Sequence, residues 1–239
     1  MTPGPRPVLV FDVLGTLVDQ AGSLEAEVRG AGLDAGAARD VVATWLGRVA
    51  DREQEVVAGR RDFVPSGDLD REVLAGLAAE GALPAPVVAR LATAAQRLRP
   101  WPDSVAGVAA LARDFTVLGL SNADRRTLAA LRADAGLAWH RALSAQDAGT
   151  YKPAPEVYAA AVAAAVPAPA PTGTAGPPVL VAAHAWDLRA GAAAGMRTAY
   201  VPRPQGDAPR DDDAFDLYAA DLADLRGRLL AGELRSPVA

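Results

Sequence analysis

The segment Pro7–Val13, PVLVFDV, is a continuous apolar run of strand length with an acid, Asp12, near its end and Gly15 just beyond. An unbroken apolar run, rather than an alternating one, is what a strand covered on both faces requires, as in a parallel sheet. Similar runs recur at Thr116–Leu120, Val179–Ala183 and Thr198–Val201, with weaker candidates at Arg141–Ser144 and Asp216–Ala219. Between them lie stretches of helical character, Ser104–Arg113, Arg125–Ala135, Ala154–Ala165, Asp187–Ala194 and Asp221–Leu230. Strands alternating with helices predict an α/β fold built on a parallel sheet.

Residues 20–98 break that rhythm, because they carry helical pattern and no convincing strand. Arg39–Val57 and Asp70–Leu98 are the evident helices, with a Gly59–Gly67 loop between them and Pro84 interrupting the second. The expected organisation is a core formed by residues 1–19 and 99–239, with an all-helical insert over 20–98. Pro167–Pro178, rich in Pro, Ala and Gly, reads as an exposed loop. Asp211–Asp213 reads as a solvated acidic run.

A chain of 239 residues has room for such a core plus insert, and 51% hydrophobic with 22% charged residues is a globular composition. The net charge of −5 argues against a nucleic-acid partner, since phosphate backbones are held by basic surfaces. Nothing approaches the ~20 apolar residues of a membrane span, and Met1–Pro7 has no signal-peptide character, so a cytoplasmic location is expected. There is no Cys, which removes disulfides, thiolate nucleophiles and cysteine metal sites together. The chain holds a single Lys, Lys152, and a single Asn, Asn122, among Arg-dominated basic residues. Arg replaces Lys on a surface at little cost, but not inside a pocket, where a compact ammonium differs from a planar guanidinium.

In a doubly wound sheet, ligands sit at the carboxyl ends of the strands. Those ends carry Asp12, Ser121, Asn122, His184 and Asp187, with Lys152 in a loop before a helix and Gly15-Thr16 in a turn beside Asp12. Taken singly, Asp12 or Asp187 is more often a cap, Thr16 a turn former, His184 a satisfied buried histidine, and Tyr158 or Trp186 a core residue. Their convergence on one crevice favours a site.

These residues resemble the haloacid dehalogenase superfamily of hydrolases. Phe11-Asp12-Val13-Leu14-Gly15-Thr16-Leu17 is similar to its first motif, Leu120-Ser121-Asn122 to its second, Tyr151-Lys152-Pro153 with Pro155-Glu156-Val157-Tyr158 to its third, and Ala182-Ala183-His184-Ala185-Trp186-Asp187 to its fourth. The resemblance spans nearly the whole chain and implies a Rossmann-like core, a mobile helical cap at 20–98, and Asp12 as covalent nucleophile.

Two chemistries compete within that superfamily. Its phosphatases carry a second Asp where this chain has Leu14, and commonly a Mg²⁺-holding Asp where it has Ala183. The pattern is closer to the type II 2-haloacid dehalogenases, which use neither metal nor cofactor and act on a small carboxylate. By that resemblance Asp12 displaces halide to form an ester, and water attacking the Asp12 carbonyl carbon releases a 2-hydroxy acid. Thr16, Ser121 and Asn122 orient Asp12 and hold the substrate carboxylate, Lys152 stabilises charge, and Asp187 with His184 handles the water. Leu14, Tyr158 and Trp186 fall at pocket positions, and Trp45 and Phe63 are cap candidates for an apolar wall. The chain departs from the pattern at Leu14, Ala182 and His184, and the halide-receiving cap arginine expected after a Trp is replaced by Leu46 after Trp45. Arg39, Arg48, Arg52, Arg60 and Arg61 are the possible substitutes. A Mg²⁺-dependent phosphatase and a catalytically silent binding protein remain the alternatives, and a homodimer is compatible with the sequence.

Overall fold

The computed structural model describes residues 7–165 and 176–234, and the loop expected at Pro167–Pro178 lies outside them up to residue 175. Along the chain the elements are β1 (Val8–Asp12), β2 (Val18–Asp19), α1 (Gln20–Gly30), α2 (Ala35–Val57), α3 (Ser66–Ala79), α4 (Val88–Leu91), β3 (Arg99–Pro100) and α5 (Ser104–Asp114). They continue as β4 (Thr116–Ser121), α6 (Arg125–Asp134), β5 (Arg141–Ser144), α7 (Pro155–Ala165), β6 (Val179–Ala182), α8 (Ala185–Ala193), β7 (Arg197–Tyr200), β8 (Leu217–Tyr218) and α9 (Leu222–Leu230).

Six strands form one sheet in the order β5-β4-β1-β6-β7-β8, every pair parallel. All five residues of β1 are buried, as its unbroken apolar run requires. From β1 the chain builds outward through β4 and β5, then returns to build β6, β7 and β8 on the other side. The switch falls between β1 and β6, and the crevice there opens at Asp12 on one strand and at Ala183-His184 just past the other.

Between β2 and β3 every regular element is helical. These two short strands pair antiparallel, Val18 with Pro100 and Asp19 with Arg99, and so tie the start of the insert to its end. Helix α2 is capped by Asp34, whose carboxylate accepts the Gly36 and Ala37 amides. Ala38, Val41, Val42 and Trp45, at helical spacing, form its buried face.

Two sequence expectations change here. The helix expected over Asp70–Leu98 with an interruption at Pro84 is instead α3, which starts at Ser66 and ends at Ala79, then the short α4 and 3₁₀ turns at Ala85–Val87 and Ala94–Arg97. Gly81, at φ +79°, takes a left-handed turn just past α3, and Pro84 has no amide to continue a helical ladder. Helix α2 also begins at Ala35 rather than Arg39, because its cap is Asp34.

Candidate active site

The turn after β1 fixes the geometry. Gly15 adopts φ +80°, and a Cβ there would lie 2.5 Å from His184 Nε2, so only glycine fits on both counts. The Gly15 carbonyl accepts the Trp101 indole N–H at 3.0 Å, which braces the turn from the start of the returning core. Thr16 then folds back over Asp12. Its hydroxyl accepts the Ala183 amide at 2.9 Å and therefore donates to Asp12 Oδ2, at 2.6 Å.

The other oxygen, Asp12 Oδ1, accepts from Lys152 Nζ at 3.0 Å, and the same ammonium donates to Asp187 Oδ2 at 2.7 Å. Burial alone would lower the Lys152 pKa, but the two carboxylates more than reverse it and hold the group above its usual range. Asp187 has no exposed surface. Burial pushes its carboxyl up, against Lys152 and against the Tyr158 hydroxyl, which donates to Oδ1 at 2.5 Å. Two buried carboxylates thus share one buried cation, and each has a further hydroxyl donor.

Asn122 links this cluster to the helical insert. Its Oδ1 accepts the Lys152 backbone amide at 2.8 Å, and its Nδ2 donates to Glu53 Oε2 on α2, also at 2.8 Å. Nearby, Asp124 Oδ2 accepts the Gly67 amide at 3.2 Å, Ser66 Oγ accepts the Asp124 amide at 2.9 Å, and the Tyr151 hydroxyl donates to the Val64 carbonyl at 2.5 Å.

Between α2 and the strand ends lies a cavity of about 220 Å³ lined by Asp12, Leu14, Ser121, Asn122, Lys152, His184 and Trp186, and on the helical side by Gln20, Leu46, Val49, Ala50 and Glu53. A larger groove of about 650 Å³ runs along the β5 edge past Arg125, Arg132 and Arg141, away from the carboxylates. Of the sequence candidates, seven therefore share the cavity wall, and Thr16 stands directly behind Asp12.

Besides Thr16, four do not line it, and three of these lie away from the cavity where a substrate contact was expected. Trp45 is buried inside the insert with its indole N–H on Asp70 Oδ1 at 2.7 Å, because it lies on the α2 stripe of Ala38, Val41 and Val42, adjacent to the one that faces the cavity. Phe63 packs against the Tyr151 ring, 5.1 Å between centroids. Tyr158 is buried beneath Asp187 rather than facing the cavity. Asp187 is likewise screened from the cavity, so its contact is with Lys152 and not with solvent. None of the five possible substitute arginines lines the cavity: Arg48 pairs with Glu80, Arg52 and Arg61 with Glu72, and Arg39 and Arg60 are exposed.

Glu53 escaped the sequence reading. Leu46, Val49, Ala50 and Glu53 stand at i, i+3, i+4 and i+7, so an acid closing an otherwise apolar stripe was the available signal. Burial pushes the Glu53 carboxyl up to about 8, against the hydrogen bond from Asn122 and the charge of Lys152 and with added repulsion from Asp70. Asp70 itself is pushed up to about 6, again chiefly by burial. Among the described residues, no group of three His, Cys, Asp or Glu is arranged to hold a metal ion. The Lys152 ammonium is bonded to both Asp12 and Asp187, and Glu53 across the cavity is held by Asn122, so the donor set does not fit a Mg²⁺ cage of oxygen ligands. Nor is any helix among the described residues long and apolar enough to cross a membrane.

Residues 7–195 match the family model of haloacid dehalogenase-like hydrolases. In sequence, no curated protein matches the chain. Among solved structures, the L-2-haloacid dehalogenase PA0810 is similar at 31% identity and TM-score 0.82, over 95% of this chain and 100% of that one. The defluorinating L-2-haloacid dehalogenase Rha0230 is similar at 28% identity and TM-score 0.80, over 94% and 95%. The L-2-haloacid dehalogenase from Xanthobacter autotrophicus with chloropropionic acid covalently bound is similar at 25% identity and TM-score 0.76, over 95% and 99%.

Proposed function

We propose, from the premise that this chain belongs to the haloacid dehalogenase-like hydrolase family, that it cleaves a bond at a saturated carbon through an ester on Asp12, in the manner of the 2-haloacid dehalogenases. The supporting observation is the buried trio of Asp12, Lys152 and Asp187, with Asp12 alone of the two acids lining the cavity. Thr16 and Lys152 hold the Asp12 carboxylate in one orientation, ready to attack a small substrate in a cavity of this size.

With a 2-haloacid the Asp12 oxygen bonds to C2, halide departs with the bonding electrons, and water then attacks the Asp12 carbonyl carbon to release a 2-hydroxy acid. Ser121 and Asn122, both on the cavity wall, are the groups we assign to the substrate carboxylate. Lys152 stabilises the oxyanion formed during hydrolysis. His184, on the cavity wall with Nε2 3.3 Å from the Leu14 carbonyl, takes the water proton, while Asp187 and Tyr158 keep Lys152 in place. The route asks for no metal, consistent with the poor fit of the donor set to Mg²⁺.

The test is repeated turnover of racemic 2-chloropropionate in ¹⁸O-water, followed by mass spectrometry of the Asp12 peptide. Label in that carboxylate, and loss of turnover in Asp12→Asn, are the expected results. Label confined to product would mean direct attack by water and would sink the ester route.

A further inference from the structure

The cavity wall has an unusual charge inventory. Lys152 is the one Lys or Arg on it among the described residues, and its ammonium is already bonded to two carboxylates. The α2 position where the resemblance places a halide-receiving arginine is Leu46. Two turns along the same stripe stands Glu53, whose Oε2 takes the Asn122 amide while Oε1 has no partner among the described residues. A departing anion therefore meets an acid and an aliphatic chain where it needs a cation. A departing oxygen needs a proton instead, and a carboxyl with one oxygen held and the other free is built to give it.

We propose that the site also opens small epoxides, with Glu53 as the proton donor to the ring oxygen. This rests on the Asp12 ester route and extends it to a second leaving group. Asp12 bonds to a ring carbon, the ring C–O bond breaks with its electron pair on oxygen, and that oxygen takes the Glu53 proton. When water attacks the Asp12 carbonyl carbon, the proton that His184 takes passes on to Glu53 and the other water proton goes to the substrate oxygen released from the ester. The sum is epoxide plus water to vicinal diol, with Asp12 and Glu53 restored and no proton gained or lost. Ring strain supplies the driving force that an unstrained ether lacks, and an uncharged leaving oxygen suits a wall without a free cation.

The groups facing Glu53 fit a donor that is protonated near neutral pH. Asn122 follows β4, Asp70 lies on α3, Lys152 and Tyr151 precede α7, and Asp12 and His184 share the cavity. Burial outweighs the Asn122 hydrogen bond and the Lys152 charge, and Asp70 adds to it.

Glycidate and 2-chloropropionate make a matched pair of probes, each with three carbons and a carboxylate but differing in the leaving atom. Attack at either ring carbon of glycidate gives glycerate, so the assay does not depend on regiochemistry. The full-length protein is expected to convert glycidate to glycerate with ¹⁸O entering Asp12, and with kcat/KM at least 10-fold above that for 2-chloropropionate. Glu53→Gln, which keeps an acceptor for Asn122, is expected to lower glycidate kcat by about 100-fold, a typical loss for a general acid. The unmutated protein gives an independent reading: glycidate kcat/KM is expected to fall above pH 8, a fall the variant's residual activity lacks. If 2-chloropropionate labels Asp12 and glycidate is not turned over, the epoxide proposal is overturned and the ester route stands. If neither compound labels Asp12, both fall. If glycidate is turned over equally by Glu53→Gln, the assignment of the donor is wrong.

Discussion

The Tyr158 hydroxyl lies 2.5 Å from Asp187 Oδ1, on the side of that carboxylate opposite the Lys152 ammonium. Tyr158 is wholly buried, so Tyr158→Phe removes the hydroxyl without offering water in its place. A buried hydrogen bond to an ionised acceptor contributes about 1.5–3 kcal/mol. The variant is expected to lose about 2 kcal/mol in urea unfolding, with unchanged m-value and reduced turnover, because Asp187 then holds Lys152 less firmly. Equal stability in the two proteins would show that Tyr158 does not brace the trio.

Lys152→Met should act more severely, because it leaves the Asp12 and Asp187 carboxylates buried together with no cation between them. Breaking a buried ion pair from one side costs about 3–5 kcal/mol. With the cation removed, burial and mutual repulsion push the carboxyls further up than in the parent, where Asp187 is already raised, so the variant should gain more stability than the parent as the pH is lowered toward 5. Lys152→Arg should fail to restore turnover, since a planar guanidinium cannot occupy the position of a point ammonium bonded 3.0 and 2.7 Å from its two partners. Thermal melts across pH, with turnover assayed alongside, decide both points.

Much of this arrangement was legible in the sequence. The unbroken apolar runs gave the parallel strands, and the acid, amide, hydroxyl and imidazole at their ends gave Asp12, Asn122, Ser121 and His184, because strand ends at a topological switch converge whatever the loops do. Lys152 stood out as the chain's single ammonium. The helical side was less legible. Helical spacing identifies a buried stripe, but α2 has two faces with apolar character. Nothing local says that Trp45 turns into the insert and Leu46, one residue on, faces the core. Motif position suggests Tyr158 and Asp187 as substrate and water contacts but does not reveal depth, which is set by packing of α7 against α8.

Glu53 and Asp70 set a pH dependence of stability. Both carboxyls are held above their ordinary values of 4.5 and 3.8, at about 8 and about 6, so the folded chain binds their protons more tightly than the unfolded chain. Their contribution is full below about pH 4, falls as the pH rises past the ordinary values, and is gone above about pH 8. Glu53→Gln removes the larger part of this slope, and at pH 9 it should stabilise the protein by about 2–4 kcal/mol relative to the parent. Urea unfolding at pH 5, 7 and 9 reads the effect. A parent whose disadvantage against the variant does not grow over that range would contradict a Glu53 carboxyl held protonated near neutrality.

Leu46→Arg tests the charge inventory of the cavity from the other direction. Leu46 lines the wall beside Val49 and Ala50, so a guanidinium there reaches the cavity with its stem along apolar surface. It supplies the free cation that the parent wall lacks, Lys152 being bonded to Asp12 and Asp187. The variant is expected to bind halide and the parent is not. For a dissociation constant near 10 mM, 100 mM bromide would stabilise the variant by roughly 1.4 kcal/mol, a shift of a few degrees in Tm over the same salt concentration of a non-binding anion. The same cation should draw the nearby Glu53 carboxyl down toward the ordinary carboxylate range and raise turnover of 2-chloropropionate, whose leaving group it receives. A parent that already shows the bromide shift would mean that halide is received elsewhere on the wall, and a variant that shows none would mean that position 46 does not reach the leaving atom.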